Sequence, residues 1–424
     1  MPFQENIEKA LARATDYYWN AWNEKPSIAD AFSHLSSNAY PQTPSAFDKD
    51  CCGGMEILLT HCGSKFSEKY IRKQLPVFYN LVDPTTELSK PEISEMLHAV
   101  YQKYIDWQEE TTICFPVECI VVDGDEAVSF GQVSFWNFEV LLKKKHGVFL
   151  DEWLKNTPKN YIPQTVASFS MIADIQKTND TGKPIINDVL NVIQYVKPLF
   201  VVQKQTPHYS LSEIYPRRHA VTFRLQDDTL NVYSMYRTDS AVELHLPLCG
   251  NSKKRWDEAL GNEAIAVMQS NGTNKIAEML RQAIYWHAAG EREASYERAL
   301  IYYTMALESI FTTLGSNVST NATIADSLAL LLGNDVKDRL EIKKKAKALY
   351  QQRSSLAHGK KNVVKHSDLE IQRGFSYSAI YFVLSKRNEF QKQEDIAQHF
   401  EDLKFTLPRD VKYANTPEAK EDNV

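Results

Sequence analysis

Apolar side chains recur at helical spacing toward both ends of this chain and at strand spacing in between. Ile7, Leu11, Ala14 and Tyr18, with Trp19 and Trp22 beside them, predict an amphipathic helix over about 4–23. The Tyr-Pro, Thr-Pro and Cys51-Cys52-Gly53-Gly54 runs then break the period. The runs at 39–45 and 51–54 therefore read as turn-rich, followed by a short helix over 67–74 that Pro76 ends. A helix over 90–109 places Pro91 in its first turn, where the missing N–H costs nothing. Val, Ile and Phe next mark strands at 113–122, 127–130 and 133–142, with Asp123-Gly124-Asp125 turning between the first two. Helices over 149–155 and 163–177, a loop over 178–184, and strands at 199–202, 220–225, 230–236 and 242–246 follow. Gln226-Asp-Asp-Thr229 joins two of these strands at hairpin length.

From Lys253 onward the pattern is helical. Five helices are predicted over 274–289, 291–314, 322–332, 336–358 and 368–390, broken at Gly290, Gly315, Gly333 and Gly359, with a short sixth over 391–405. Asn321 and Asp335 stand where N-caps of the third and fourth belong. The fold class this predicts is α+β: a mixed α/β domain with an antiparallel-leaning sheet over 1–255, an all-α domain over 270–405, and a disordered tail over 406–424.

Composition narrows the functions open to such a chain. Its 424 residues, 43% of them apolar, allow two or three domains with real cores. A net charge of -6 argues against general coating of nucleic acid, so any RNA contact is local. One window is strongly basic: residues 335–365 carry ten Lys and Arg against three Asp and Glu. A lysine run on a helix is ordinarily a solvated face.

The six cysteines are too few and too irregular for a disulfide scaffold. The adjacent pairs Cys51-Cys52 and His61-Cys62 lack the two-residue gaps that let both members of a zinc knuckle reach one ion, so no metal and no cofactor is expected. The chain opens on a charged amphipathic helix and holds no membrane-length apolar run, so a cytoplasmic location without membrane contact is expected. The sugar-acceptor triplets at Asn271, Asn317 and Asn321 are then unused. The first 250 or so residues contain no phosphate loop, nucleotide-binding glycine fingerprint or metal-binding helix motif, which favours a scaffold or sensing role there. Arg217-Arg218-His219 reads as solvated, and Tyr209, Tyr215, Tyr233 and Tyr236 suit either a recognition surface or a half-buried strand.

One position breaks the helical pattern informatively. Ile342, Ala346, Leu349 and Leu356 form one face of the fourth C-terminal helix, and Arg353 occupies a slot on it where Leu belongs. A guanidinium there requires a carboxylate, a carbonyl or a phosphate. Glu308 is the expected carboxylate, because it sits beside Leu307 and Phe311 on an otherwise apolar helix and itself needs a cation. His358 follows five residues after Arg353, roughly 140° round a regular helix. Unwinding of the last turn at Gly359 would let the imidazole swing toward the arginine. The plain structural alternative is a buried Arg–carboxylate clasp with an ordinary helix-terminal histidine.

Arg353-x4-His358 followed by Gly359 resembles the signature of the HEPN superfamily, and the Arg-Ser-Ser-Leu-Ala-His-Gly run is similar to that of its ApeA-like branch. The resemblance covers about residues 275–390. It implies a helical domain that forms a homodimer in which the Arg and His of two subunits face each other and cut RNA without a metal. The implied catalytic set is Arg353 and His358, with Glu308 holding the guanidinium; Lys344, Lys345, Lys360 and Lys361 are the implied holders of the RNA backbone. The implied setting is prokaryotic anti-phage defence, a toxin released when the N-terminal domain senses a phage-derived protein or ligand. Ser354 departs from the pattern, since many active members carry Asn, Asp or His there. Its hydroxyl can donate but cannot act as a base near neutrality, which keeps open a catalytically silent dimerisation or RNA-binding adaptor. The chemistry itself favours a dimer: cleavage needs a base at the 2'-OH and an acid at the leaving 5'-oxygen, and two histidines supply both more readily than one.

Overall fold

Apolar burial on both sides of one opening helix explains the first corrections to the sequence pattern. In a computed structural model the described residues are 2–23, 46–75, 88–144, 163–197, 209–211, 220–226, 229–236, 244–270, 274–312, 320–359 and 363–405. The helices 149–155 and the strand 199–202 predicted above, and the tail 406–424, lie outside them. Helix α1 (Pro2–Asn23) buries Ile7, Leu11, Ala14 and Tyr18, the stripe that predicted it. Helix α2 (Ala46–Cys62) packs along it, through the 51–54 run read as turns. Its Gly53 and Gly54 are close-approach points: a Cβ on them would lie 2.8 Å from the Tyr17 ring and 2.7 Å from the Tyr18 ring. Cys62 is a core side chain whose thiol burial pushes up to about 12. Helices α3 (Glu68–Gln74) and α4 (Lys90–Asp106) complete this core.

Strand β1 (Glu110–Glu118) stops at Cys119, which takes φ +62°, and β2 (Ile120–Val122) continues beyond it. Strands β3 (Val128–Phe130) and β4 (Val133–Asn137) pair antiparallel. The strand predicted to reach 142 ends at Asn137, whose side chain accepts from Glu139 N and starts helix α5 (Phe138–Lys144). The predicted helix over 163–177 is instead strand β5 (Thr165–Ile172), and the predicted loop over 178–184 lies inside helix α6 (Ile175–Val196), with Pro184 in its interior. Asp174 sets that boundary, since its carboxylate accepts from Gln176 N and Lys177 N at 2.9 and 3.3 Å and from Ser67 N and Oγ at 2.5 and 3.0 Å.

Strands β6 (Ser210–Leu211), β7 (Ala220–Gln226), β8 (Thr229–Tyr236) and β9 (Leu244–Leu246) follow. The main sheet has the order β3-β4-β5-β1-β6; β7 and β8 form the expected antiparallel hairpin; β2 and β9 pair in parallel. The fold is mixed α+β, mostly helical with small sheets. No helix among the described residues is long and apolar enough to cross a membrane.

Helices α7 (Gly250–Glu258) and α8 (Gly261–Met268) lead into α9 (Lys275–Arg292), α10 (Tyr296–Phe311), α11 (Thr320–Leu332), α12 (Val336–Ala357), α13 (His366–Ser385) and α14 (Gln393–Lys404). Helix α10 packs against α9, α11, α12 and α13, and α11 against α12. Gly290 does not end α9 as predicted; it lies inside the helix, where a Cβ would meet the Tyr303 ring at 2.6 Å. Asp335 caps α12 through Asp338 N at 2.8 Å, whereas Asn321 lies within the first turn of α11. The chain has two compact units, residues 1–114 with 168–184 and residues 115–167 with 185–424. Ties such as Arg292 to Asn191 and to the Tyr209 carbonyl, at 2.7 and 3.2 Å, join the later helices to α6 and the strand region.

Candidate functional site

Helix α12 is amphipathic only in part, and this is what exposes its chemistry. Ala346 and Leu349 are buried, while Val336, Leu340, Lys344 and His358 are exposed. One turn beyond Leu349, Arg353 lies half-buried against α10, and its Nη2 donates to Glu308 Oε2 at 3.0 Å. The carboxylate expected from sequence is therefore the one it meets. Tyr350, three residues earlier on the same helix, donates its hydroxyl to Glu308 Oε1 at 2.9 Å. Its ring lies 5.9 Å from the Arg353 guanidinium carbon. Burial, then the bond to Glu308, pushes the Tyr350 hydroxyl up to about 12, so it is a donor at any working pH.

The arginine is not saturated by these contacts. Its Nε is buried without an acceptor, and no hydrogen bond joins Nη1 to a described residue. A buried N–H left unpaired costs about 1–3 kcal/mol, so this geometry does not serve stability alone.

His358 shares no hydrogen bond with the arginine. Helix α12 does not unwind before it: His358 N donates to Ser354 O at 3.1 Å in the helical ladder, and the backbone turns only at Gly359, at φ +74°. The last ladder bond keeps the His358 backbone on the helical path up to the C-cap, and no hydrogen bond joins its imidazole to Arg353. Of the predicted RNA-backbone lysines, Lys344 is exposed, Lys345 is paired with Asp368 at 2.5 Å, and Lys360 and Lys361 lie outside the described residues. Lys343 is likewise paired with Asp326. Among the described residues no group of three or more His, Cys, Asp and Glu is placed to hold a metal.

A second ionic cluster went unread in the sequence. Glu291 is fully buried and accepts from Arg373 Nε and Nη2 at 2.5 and 2.9 Å, from the Tyr303 hydroxyl at 2.7 Å, and lies 3.4 Å from Lys197 Nζ. Its i−4 neighbour His287 is also fully buried and bonded to Ser376 Oγ at 2.7 Å. Burial by itself would raise the Glu291 carboxyl, but Arg373, then Lys197 and His287, outweigh it and hold it at about 2. Burial pushes His287 down to about 4, so it is neutral. The predicted helix break at Gly290 placed Glu291 at the start of the following helix and hid its i,i+4 relation to His287, the signal that could have found the cluster.

No protein-family model, curated protein or solved structure matches the chain.

Proposed function

We propose that the chain is a metal-independent endoribonuclease of the HEPN type, with a strand-containing N-terminal part that senses a trigger and C-terminal helices that dimerise and cut RNA. The observation that carries this reading is the half-buried Arg353, held by a single N–H on Glu308, with Nη1 making no bond to a described residue. A guanidinium gripped at one end and open at the other is suited to a phosphate oxygen whose charge grows as the bond breaks. His358, exposed at the end of the same helix, is the proton-transfer group in this reading. Its distance round the helix from Arg353 favours a groove completed by a second copy, with each chain supplying an arginine and a histidine. Val336 and Leu340, four apart and 65% and 62% exposed on α12, offer apolar surface that such a copy would cover. Lys344, Lys360 and Lys361 are the proposed RNA-backbone contacts. Lys345 joins them only if it leaves Asp368. The cellular role proposed by resemblance is a cytoplasmic toxin of anti-phage defence.

A second reading has its own support. His358 remains in the helical ladder and Ser354 follows the arginine, which suits a silent RNA-binding or dimerising adaptor. Incubating the purified protein with total RNA, with and without EDTA, separates the two. The nuclease reading expects cleavage that survives EDTA and leaves 2',3'-cyclic phosphate or its opened 3'-phosphate. Cleavage that strictly requires added magnesium would count against it, and RNA binding without cleavage would favour the adaptor.

A further inference from the structure

Two residues of α12 share one carboxylate. Tyr350 Oη takes Oε1 of Glu308 and Arg353 Nη2 takes Oε2, and because both donors rise from one helix three residues apart they meet Glu308 side by side. The Glu291 cluster uses the same three residue types differently. There Tyr303 comes from α10 and Arg373 from α13, and Arg373 engages both oxygens in a closed fork.

We propose that Tyr350 is a positioning residue for Arg353, acting through Glu308: it anchors Oε1 and underlies the guanidinium, so that Arg353 is held by one N–H and keeps Nη1 for a phosphodiester oxygen. The nature of the ligand rests on the ribonuclease reading; the positioning itself does not depend on cleavage. Burial and the bond to Glu308 keep the Tyr350 hydroxyl protonated throughout the working range, so it remains a donor. The ring contact with the guanidinium survives in Tyr350→Phe, so that variant isolates the hydroxyl.

The test is binding of a 2'-O-methyl oligoribonucleotide, which cannot be cut by attack of its own 2'-oxygen, followed by fluorescence anisotropy. Wild type, Arg353→Ala, Tyr350→Phe, Glu308→Ala and the Tyr350→Phe/Glu308→Ala double variant are compared, with urea midpoints for each. The part of the affinity that Arg353→Ala removes should fall about fivefold in Tyr350→Phe, the worth of one ordinary hydrogen bond, with the urea midpoint nearly unchanged. In the Glu308→Ala background the same change should have no further effect, because the carboxylate through which it acts is gone. Wild-type affinity in Tyr350→Phe, an equal loss in both backgrounds, or equal binding by wild type and Arg353→Ala would each overturn the proposal. Absence of RNA cleavage with Arg353-dependent binding retained would remove the nuclease reading and leave this one standing.

Discussion

Glu291 and Glu308 each meet an arginine and a tyrosine, yet they are built for different ends. The Glu291 carboxylate is 1% exposed, forked by Arg373, bonded to Tyr303 and faced by Lys197. The Glu308 carboxylate is 23% exposed, takes one N–H of Arg353, and leaves that guanidinium partly unbonded. In the first, the donors converge from several helices and close on the anion, so there is no room for a ligand and the cluster fixes how α9, α10 and α13 pack. In the second, the donors stand side by side on α12 and the cation remains open on one side. What distinguishes a structural clasp from a candidate site is thus the direction from which the donors arrive and how many nitrogens of the arginine remain unbonded.

Stability should separate the two most strongly. Arg373→Leu leaves Glu291 buried with fewer donors and should cost about 3 kcal/mol, read from urea unfolding. Arg353→Ala should cost under about 1 kcal/mol, because its pair is half-exposed and screened. Equal losses would erase the distinction.

Acid titration should sharpen it. His287, held at about 4 in the folded state against an ordinary 6.5, leaves the unfolded chain with more bound protons between those values. Stability therefore falls as pH drops from about 6.5 to about 4, and His287→Gln should flatten that part of the profile. Glu291, held at about 2 against an ordinary 4.5, adds stability that is present above 4.5 and lost as pH falls toward 2. A profile unchanged by His287→Gln over the upper window would mean that the buried imidazole is not held neutral.

These regions differ in how far their local sequence encodes their structure. The α1 stripe, the β7–β8 hairpin and the long helices from 275 onward were legible because their apolar periods are local. Glycine misled: Gly53, Gly54, Gly182 and Gly290 read as punctuation, but all four lie in helices where another part of the chain approaches too closely for a Cβ. Only the packed structure shows that. The same misreading at Gly290 concealed the Glu291 cluster, whose members Lys197, Arg373 and Tyr303 are far apart in sequence. The Arg353–Glu308 pair was legible because each is a charge on an apolar stripe, and such a misfit demands a partner. Tyr350 raised no such signal, since a tyrosine at a helix edge is ordinary.

The smallest expected effect concerns how copies of the chain combine. If a groove needs an Arg353–His358 pair from each subunit, titrating the Arg353→Ala/His358→Ala chain into wild type should lower activity well below the wild-type share of chains. Subunits complete in themselves would retain activity in direct proportion to that share.

In the proposed reaction Arg353 carries the phosphate charge and His358 the proton. The deciding measurement is the rate of RNA cleavage in EDTA by wild type, Arg353→Ala and His358→Ala, with urea midpoints recorded for all three. Each variant should lose about a hundredfold or more while the midpoints stay close to wild type, since removing a proton-transfer or charge-stabilising group costs rate rather than packing. Wild-type cleavage by both variants would contradict that assignment.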